Sequence, residues 1–150
     1  TLDNTGITYG SGVYEVFFSS RNSTSQGNNG DRLFDFNDTV RALFLSNNYA
    51  TTSGALTTQG QNYWLVENTY RGDWVCIRLP EPISMTSFQI IQDIVDLAAK
   101  TTAPRNIRLY CSNDGINWIT IQTYTNLAYN SSGVHTSPTI SGLSGYIYYA

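Results

Sequence analysis

The chain has little charge of either sign. Only 13% of its 150 residues are Asp, Glu, Lys or Arg, about half of the roughly 25% that is usual in soluble domains. Eight Lys and Arg stand against eleven Asp and Glu, which gives a net charge of −3. This balance disfavours a nucleic-acid-binding surface, which must be basic. The scarcity of charge also argues against a coiled coil, and 13% aromatic residues argue against disorder.

Long hydrophobic runs are absent as well. The longest apolar clusters, such as Val16–Phe18 and Trp74–Ile77, are far shorter than the ~20 residues of a membrane-spanning helix. We therefore expect no membrane insertion. The chain begins at Thr1 without a charged and apolar leader, and its last residues, 146–150, resemble the middle of a strand. We expect one domain over residues 1–150, cut from a longer polypeptide.

Residues that commonly carry catalysis are few. The single histidine, His135, lies in a loop-like sequence, where we expect it to be solvated. The acidic pairs Asp35/Asp38 and Asp93/Asp96 are interpreted as turn-forming or solvent-facing groups. The sequence contains no glycine-rich phosphate loop and no zinc motif. We therefore expect no catalytic residue, no metal-binding motif and no enzymatic activity.

The two cysteines are predicted to be buried free thiols. Alternation in residues 74–79 places Cys76 opposite Val75 and Ile77, whereas Cys111 shares a face with Ile107 and Leu109. Cysteines on opposite faces of a sheet do not pair easily, because a disulfide requires Cβ atoms ~4 Å apart.

Short uncharged polar residues take the place of the missing charges. Ser, Thr and Asn together supply 47 residues, beside 12 Gly and 11 Tyr, a composition that favours strands and turns over helices. Eight strand-like runs predict an all-β sandwich or barrel. We place them near 13–18, 42–45, 63–66, 74–79, 85–91, 106–112, 118–124 and 145–150.

Polar, loop-like stretches separate several of these runs. Residues 19–30, 47–62 and 125–138 predict three long loops, which would form a binding surface if they gathered at one end of a sandwich, or mobile connections if they did not. Residues 90–99 have partly helical spacing and predict one or two helical turns before Pro104.

Three passages are more specific than composition. The first, residues 70–83, turns at Gly72-Asp73 into a strand that Pro80 and Pro82 are expected to end. The second is the Thr-Ser-Phe strand of residues 85–90. In the third, a strand ends in a hairpin-type turn, Ser112-Asn113-Asp114-Gly115, and Trp118 opens the next strand.

Together these passages resemble the discoidin, or coagulation factor type C, module of the galactose-binding-like superfamily. The resemblance covers residues 70–124, and Leu33-Phe34-Asp35 is similar to the family's early Phe-Asp motif. It implies a jelly-roll β-sandwich of about eight antiparallel strands. The terminal cysteine pair of many extracellular members is missing here.

The family also suggests where ligands would bind. Carbohydrate-binding members often hold a structural calcium near the early Phe-Asp loop, and oxygen ligands are available here on Asp35, Asn37, Asp38 and Thr39. Turn formation by these side chains is the alternative, and we expect no other cofactor. Independently of the resemblance, sugar recognition uses aromatic faces with nearby polar groups, and the candidate ligand-binding residues are Tyr63, Trp64 and Arg71 beside the Asn-rich loop at 47–62. The alternative for the aromatic residues Trp64 and Tyr70 is packing inside the sandwich.

Two functions from different classes follow. The first is a non-catalytic structural or attachment module of a virus particle, located in the virion and contacting neighbouring virion proteins or glycans through its loops. The alternative is a carbohydrate-binding module of a secreted or surface enzyme or adhesin, located outside the cell. Three glycosylation sequons, beginning at Asn22, Asn37 and Asn130, have meaning only if the protein meets a glycosylation machinery.

Overall fold

A computed structural model describes residues 3–9, 12–19, 34, 72–92 and 104–150. These residues form eight strands paired in antiparallel sheets, and none of them lies in an α-helix. The predicted all-β, antiparallel fold class is therefore confirmed. The strands are β1 (Asp3–Tyr9), β2 (Gly12–Phe18), β3 (Val75–Ile83), β4 (Gln89–Ile91), β5 (Ile107–Ser112), β6 (Ile119–Tyr124), β7 (Val134–Thr136) and β8 (Tyr146–Tyr149). Over the same ranges, no helix is long and apolar enough to cross a membrane.

The chain divides into two compact units, residues 1–78 with 150 and residues 79–149, and β3 contributes to both. In the first unit, β2 pairs with β1 along its whole length and with residues 75–78 of β3. Val16 and Phe18 are buried on one face of β2, as the two-residue period of a strand requires. Cys76 is buried opposite Phe17, so it lies on the other face, as the alternation predicted.

The second unit contains the strand order β3-β8-β5-β6 and a separate two-stranded sheet, β4-β7. Its buried apolar residues are Leu79, Leu109, Tyr110, Cys111 and Tyr149. β5 lies between β8 and β6 and is buried on both faces over its last four residues. Cys111, a free thiol like Cys76, is completely buried, and burial raises its pKa.

β6 is the terminal strand of this order and is much more exposed than β5. Leu109 pairs with Gln122 but Tyr110 pairs with Thr120, so Ile121 is an extra residue, a β-bulge. The hairpin between β5 and β6 is the one that the Ser-Asn-Asp-Gly turn predicts, and Gly115 has the positive φ (71°) expected there. Trp118 directly precedes β6 and packs edge-to-face against Tyr148, with ring centroids 6.2 Å apart.

One predicted strand end is wrong. β3 does not end at Pro80 but passes through Pro80 and Pro82 to Ile83. Its register with β2 covers only Val75 to Arg78. The prolines therefore lie beyond that pairing, where a missing backbone N–H removes no bond to β2.

Other predictions are corrected in part. The strand predicted at 85–91 is limited to β4, and β4 includes Ile90 and Ile91, which the helical spacing had placed in a helical turn. The loop predicted at 125–138 contains a strand, β7. β1 was not predicted at all. The remaining predictions lie outside the described residues: the strands at 42–45 and 63–66, the loops at 19–30 (apart from Ser19) and 47–62, and residues 93–99 of the helical segment.

Candidate functional site

The best-defined polar surface of the described residues is the β6–β7 loop, residues 125–133. Its first half is tied to the segment 104–106, just before β5, by three hydrogen bonds: Asn126 N–H to Asn106 Oδ1 (3.0 Å), Leu127 N–H to Arg105 O (2.8 Å) and Tyr129 O–H to Pro104 O (2.7 Å). Asn126 has a φ of 54°, a left-handed conformation that asparagine tolerates better than most residues. These bonds hold the first half of the loop against the segment that leads into β5.

The second half of the loop is a tight turn organised by Asn130. Its Oδ1 accepts hydrogen bonds from the N–H groups of Ser132 (3.0 Å) and Val134 (2.9 Å). Its backbone N–H donates to Val134 O, and its carbonyl accepts from Gly133 N–H, both at 3.0 Å. Gly133 closes the turn with a φ of 74°. The short, polar Asn-Ser-Ser-Gly sequence is the chemistry that such a turn requires.

His135 lies in β7 behind this loop, so the prediction of a solvated loop histidine is wrong. Its Nδ1 lies 2.9 Å from Ala128 O, and because a carbonyl oxygen only accepts, Nδ1 carries the proton. The ring packs near Phe88 and Tyr129, with centroids 6.4 and 5.9 Å away. Nε2 is buried and has no hydrogen-bond partner among the described residues. The side chain therefore supports the loop from beneath.

The aromatic residues beneath the loop extend this support. Phe88 packs edge-to-face on Tyr124, with ring centroids 5.4 Å apart. Burial raises the pKa of Tyr129 to about 12 and also raises the pKa of Tyr124. Both phenols thus stay neutral at physiological pH.

Apart from the methyl group of Ala128, the exposed side chains of the loop are uncharged hydrogen-bonding groups: Thr125, Asn126, Asn130, Ser131 and Ser132. The surrounding sequence has the same character, because residues 115–150 contain no Asp, Glu, Lys or Arg. The charge deficit of the chain is therefore greatest here. Such a surface offers neutral donors and acceptors, and it offers neither a carboxylate pair nor a cationic patch.

The β5–β6 turn, residues 113–118, uses its only carboxylate for structure. Asp114 accepts hydrogen bonds from the N–H groups of Asn117 (2.7 Å) and Ile116 (2.8 Å), from the Asn117 side chain (2.7 Å) and from the Ser112 hydroxyl (3.0 Å). These bonds, the backbone N–H of Asn117 first, hold the pKa of Asp114 well below its ordinary value. The Ser112 hydroxyl in turn accepts from Gly115 N–H at 3.0 Å. This motif, singled out from the sequence, is thus a structural turn with Ile116 exposed at its tip.

In the first unit, the ends of β2 and β3 are joined by a small polar cluster. Ser19 Oγ donates to Asp73 Oδ1 (2.9 Å) and accepts from Trp74 N–H (2.9 Å). The Ser19 N–H also donates to Trp74 O at 3.0 Å. The Ser19 hydroxyl bonds a carboxylate and a backbone amide rather than an imidazole, so its contacts are those of a structural link. Along the same strand pair, Arg78 forms an ion pair with Glu15.

The residues that the sequence predicted for ligand binding, Tyr63, Trp64 and Arg71, lie outside the described residues. So do the four candidate calcium ligands, Asp35, Asn37, Asp38 and Thr39. These assignments stay predictions. Among the side chains that the structure does describe, no three of His, Cys, Asp or Glu come together as a metal site would require.

The sequence predicted the β6–β7 loop as part of a possible binding surface at 125–138, but it assigned none of the loop residues to ligand binding. The sequence does indicate the two turns of this loop, through the turn-forming residue Asn126 and the turn-forming residues from Asn130 to Gly133. The bonds to residues 104–106 join positions about 20 to 25 residues apart, and no local pattern reveals them.

Comparison with known proteins identifies no relative of this chain. No protein-family model matches the chain, and neither the curated proteins nor the solved structures contain a match. The interpretation of the site therefore rests on its own geometry and chemistry.

Proposed function

We propose that this chain is a non-catalytic attachment or structural module of a virus particle, whose β6–β7 loop contacts a glycan or a neighbouring protein. We further propose that its antiparallel sheets belong to a jelly-roll sandwich of the discoidin type. The observation that carries the functional proposal is the loop itself, a polar and uncharged surface segment held in one conformation by hydrogen bonds at both of its ends.

Fixing the loop in advance favours binding. A mobile loop loses backbone conformational entropy when it binds, at a cost of about 1–2 kcal/mol for each residue that becomes ordered. Here the backbone bonds of Asn126, Leu127 and Asn130 are made before any ligand arrives. Exposed side chains such as Asn126 and Ser131 can therefore present donors and acceptors at low entropic cost.

The uncharged character of the surface indicates the kind of ligand. Sugar hydroxyls and backbone amides are neutral and both donate and accept, as do Asn, Ser and Thr side chains. A site of this kind lacks the charge-assisted bonds that make single contacts strong. Its affinity for one ligand is expected to be weak, and a virus particle compensates for weak sites by presenting many copies.

A carbohydrate-binding module of a secreted or surface enzyme or adhesin is the second candidate. It shares the glycan contact and gives Tyr63, Trp64 and Arg71 the larger role, as an aromatic and guanidinium platform. The two functions differ in the rest of the polypeptide. A glycoside-hydrolase domain beside residues 1–150 would contradict the virion proposal, and a capsid or fibre segment would contradict the enzyme-module proposal.

A glycan array probed with the purified chain tests the binding proposal, followed by titration of the best ligand with single variants. Asn126→Gly removes the amide side chain and keeps the left-handed backbone accessible, and Ser131→Ala removes an exposed hydroxyl. Thr120→Ala, on the exposed part of β6, is the matched control. Trp64→Ala examines the other predicted site.

We expect each loop variant to weaken binding by about tenfold, equivalent to about 1.4 kcal/mol, while Thr120→Ala leaves it unchanged. Binding that tolerates both loop changes but is lost in Trp64→Ala would move the site away from the loop. Absence of binding at millimolar concentration to every glycan would reject the glycan contact. A protein contact would then require cross-links from residues 125–133 to another particle protein.

A further inference from the structure

The Asn130-Ser131-Ser132 sequon coincides with the Asn130 turn, and the structure shows how its atoms are used. Asn130 is exposed. Its Oδ1 accepts the N–H groups of Ser132 and Val134. Among the hydrogen bonds of the described residues, none uses its Nδ2. The amide oxygen of Asn130 therefore has a structural role, whereas its amide nitrogen is available for modification.

We propose that Asn130 is an acceptor for N-linked glycosylation and that the attached glycan covers the β6–β7 loop. In the transfer, Asn130 Nδ2 forms a bond to C1 of the first sugar of a polyprenyl-diphosphate-linked oligosaccharide. The bond between C1 and the diphosphate oxygen breaks, and the lipid diphosphate leaves with the electron pair. One amide proton passes to a base of the transferase. The donor lipid and the transferase belong to the cell's glycosylation machinery.

The turn favours this chemistry in two ways. Hydrogen bonds to Oδ1 stabilise the form of the amide in which negative charge lies on oxygen and Nδ2 has lost a proton. The same turn holds Ser132, the hydroxyl residue of the sequon, close to the Asn130 side chain, because its N–H is 3.0 Å from Oδ1. Both features come from the Asx turn, not from the sequence match alone.

The folded state also tolerates the product. Glycosylation replaces one hydrogen on Nδ2 and leaves Oδ1 unchanged, so the bonds from Ser132 and Val134 can persist. The exposed position gives the oligosaccharide access to solvent. A glycan at Asn130 therefore requires no rearrangement of the turn, and the glycosylated protein is expected to keep the stability of the unmodified one.

The consequence for binding rests on the proposed function, whereas the modification does not. Asn130 lies on the loop to which we assign ligand contact, and a branched, hydrated oligosaccharide is large compared with this loop. The glycosylated protein should therefore bind its ligand more weakly than the unmodified protein. Glycosylation would act as a switch between a covered and an open form of the loop.

The test is secretion of the full 150-residue chain from eukaryotic cells behind an added signal peptide, with site occupancy measured by mass spectrometry of peptides. Ser132→Ala is the matched control, because it destroys the sequon but keeps the Ser132 backbone N–H bond. Asn130→Asp removes Nδ2 and keeps an oxygen in the Oδ1 position. Thermal unfolding of each variant verifies that the fold is intact.

We expect a glycan on Asn130 in most wild-type molecules and none in Ser132→Ala, with similar melting temperatures for wild type, Ser132→Ala and Asn130→Asp. An unmodified Asn130 in folded, secreted wild-type protein would overturn the proposal. Enzymatic removal of the glycan converts Asn130 to Asp, and this product should regain the ligand affinity of bacterially produced Asn130→Asp. Occupancy without any effect on binding would keep the modification and overturn only the switch.

Discussion

The Tyr149 hydroxyl offers the sharpest test of how the second unit is held together. Tyr149 is 3% exposed. Its O–H donates to Ile83 O at 2.6 Å and accepts from Met85 N–H at 3.3 Å. One oxygen atom therefore links β8 to the end of β3 and to the segment that follows it. Burial is the main cause of the raised pKa of this phenol, so it remains neutral and able to donate.

Tyr149→Phe removes that oxygen and keeps the packing of the ring. A hydrogen bond contributes about 0.5–1.5 kcal/mol net, and a group left unpaired on burial costs about 1–3 kcal/mol. The Ile83 bond is short and the Met85 bond is long, and because Ile83 is 47% exposed, water can partly replace the hydroxyl at the Ile83 carbonyl. We expect the free energy of unfolding to fall by about 2 kcal/mol.

Urea denaturation followed by tyrosine and tryptophan fluorescence measures this loss. With an m-value of about 1–2 kcal/mol/M, the midpoint should fall by about 1–2 M at unchanged m. Tyr124→Phe is the matched control: its ring packs on Phe88, and its hydroxyl has no hydrogen bond in the described structure. This control should change stability by less than about 0.5 kcal/mol. Equal effects of the two substitutions would refute the role assigned to the Tyr149 oxygen.

Three further results are expected. Folding lowers the pKa of Asp114, so the stability that its carboxylate contributes is present above the unfolded pKa and is lost as pH falls through the folded pKa. Asp114→Asn should therefore make the free energy of unfolding depend less on pH below about pH 4. The same pH dependence in wild type and Asp114→Asn would contradict this. Burial raises the pKa of Cys76 to about 12, so a thiol reagent at pH 8 should label it only in urea, and rapid labelling of native protein would disprove its burial. Gly115→Ala should lower the free energy of unfolding by more than about 1–2 kcal/mol, because a Cβ at a φ of 71° is strained and would also lie 3.3 Å from the Tyr148 ring. Gly142→Ala, with a φ of 76° and no atom within 4 Å of its Cβ, should show the backbone strain alone. Equal losses in thermal unfolding would remove the contact from the explanation.

Local patterns predicted the parts of the fold that depend on neighbouring residues. The β5 hairpin followed from apolar alternation and from the residues at Ser112 to Gly115, and the structure confirms it. β1 escaped prediction because Asp3, Asn4 and Gly6 have low β-propensity, and it is a strand through its pairing with β2. Pairing of this kind outweighs local preference and is invisible in a single segment.

Long-range contacts also explain the other errors. β7 has only three residues within a Ser- and Gly-rich sequence, and it becomes a strand by pairing with β4, with His135 opposite Ile90. β3 continues through its prolines, which lie beyond its pairing with β2, and it is also paired with β8. At the site, turn residues such as Asn130 were recognisable as turn formers, whereas the bonds of the loop to residues 104–106 depend on the folded chain.

The most direct test of the proposed binding surface is an NMR titration of the ¹⁵N-labelled, unglycosylated chain with the strongest glycan from the array. Because the β6–β7 loop is already held by its hydrogen bonds, ligand should shift the amide signals of residues 125–133 while leaving those of β5 in place. The shifts should saturate, and the same titration of Asn126→Gly should need about tenfold more ligand to reach its midpoint. Saturable shifts confined to other residues, with residues 125–133 unaffected, would contradict the assignment of ligand contact to this loop.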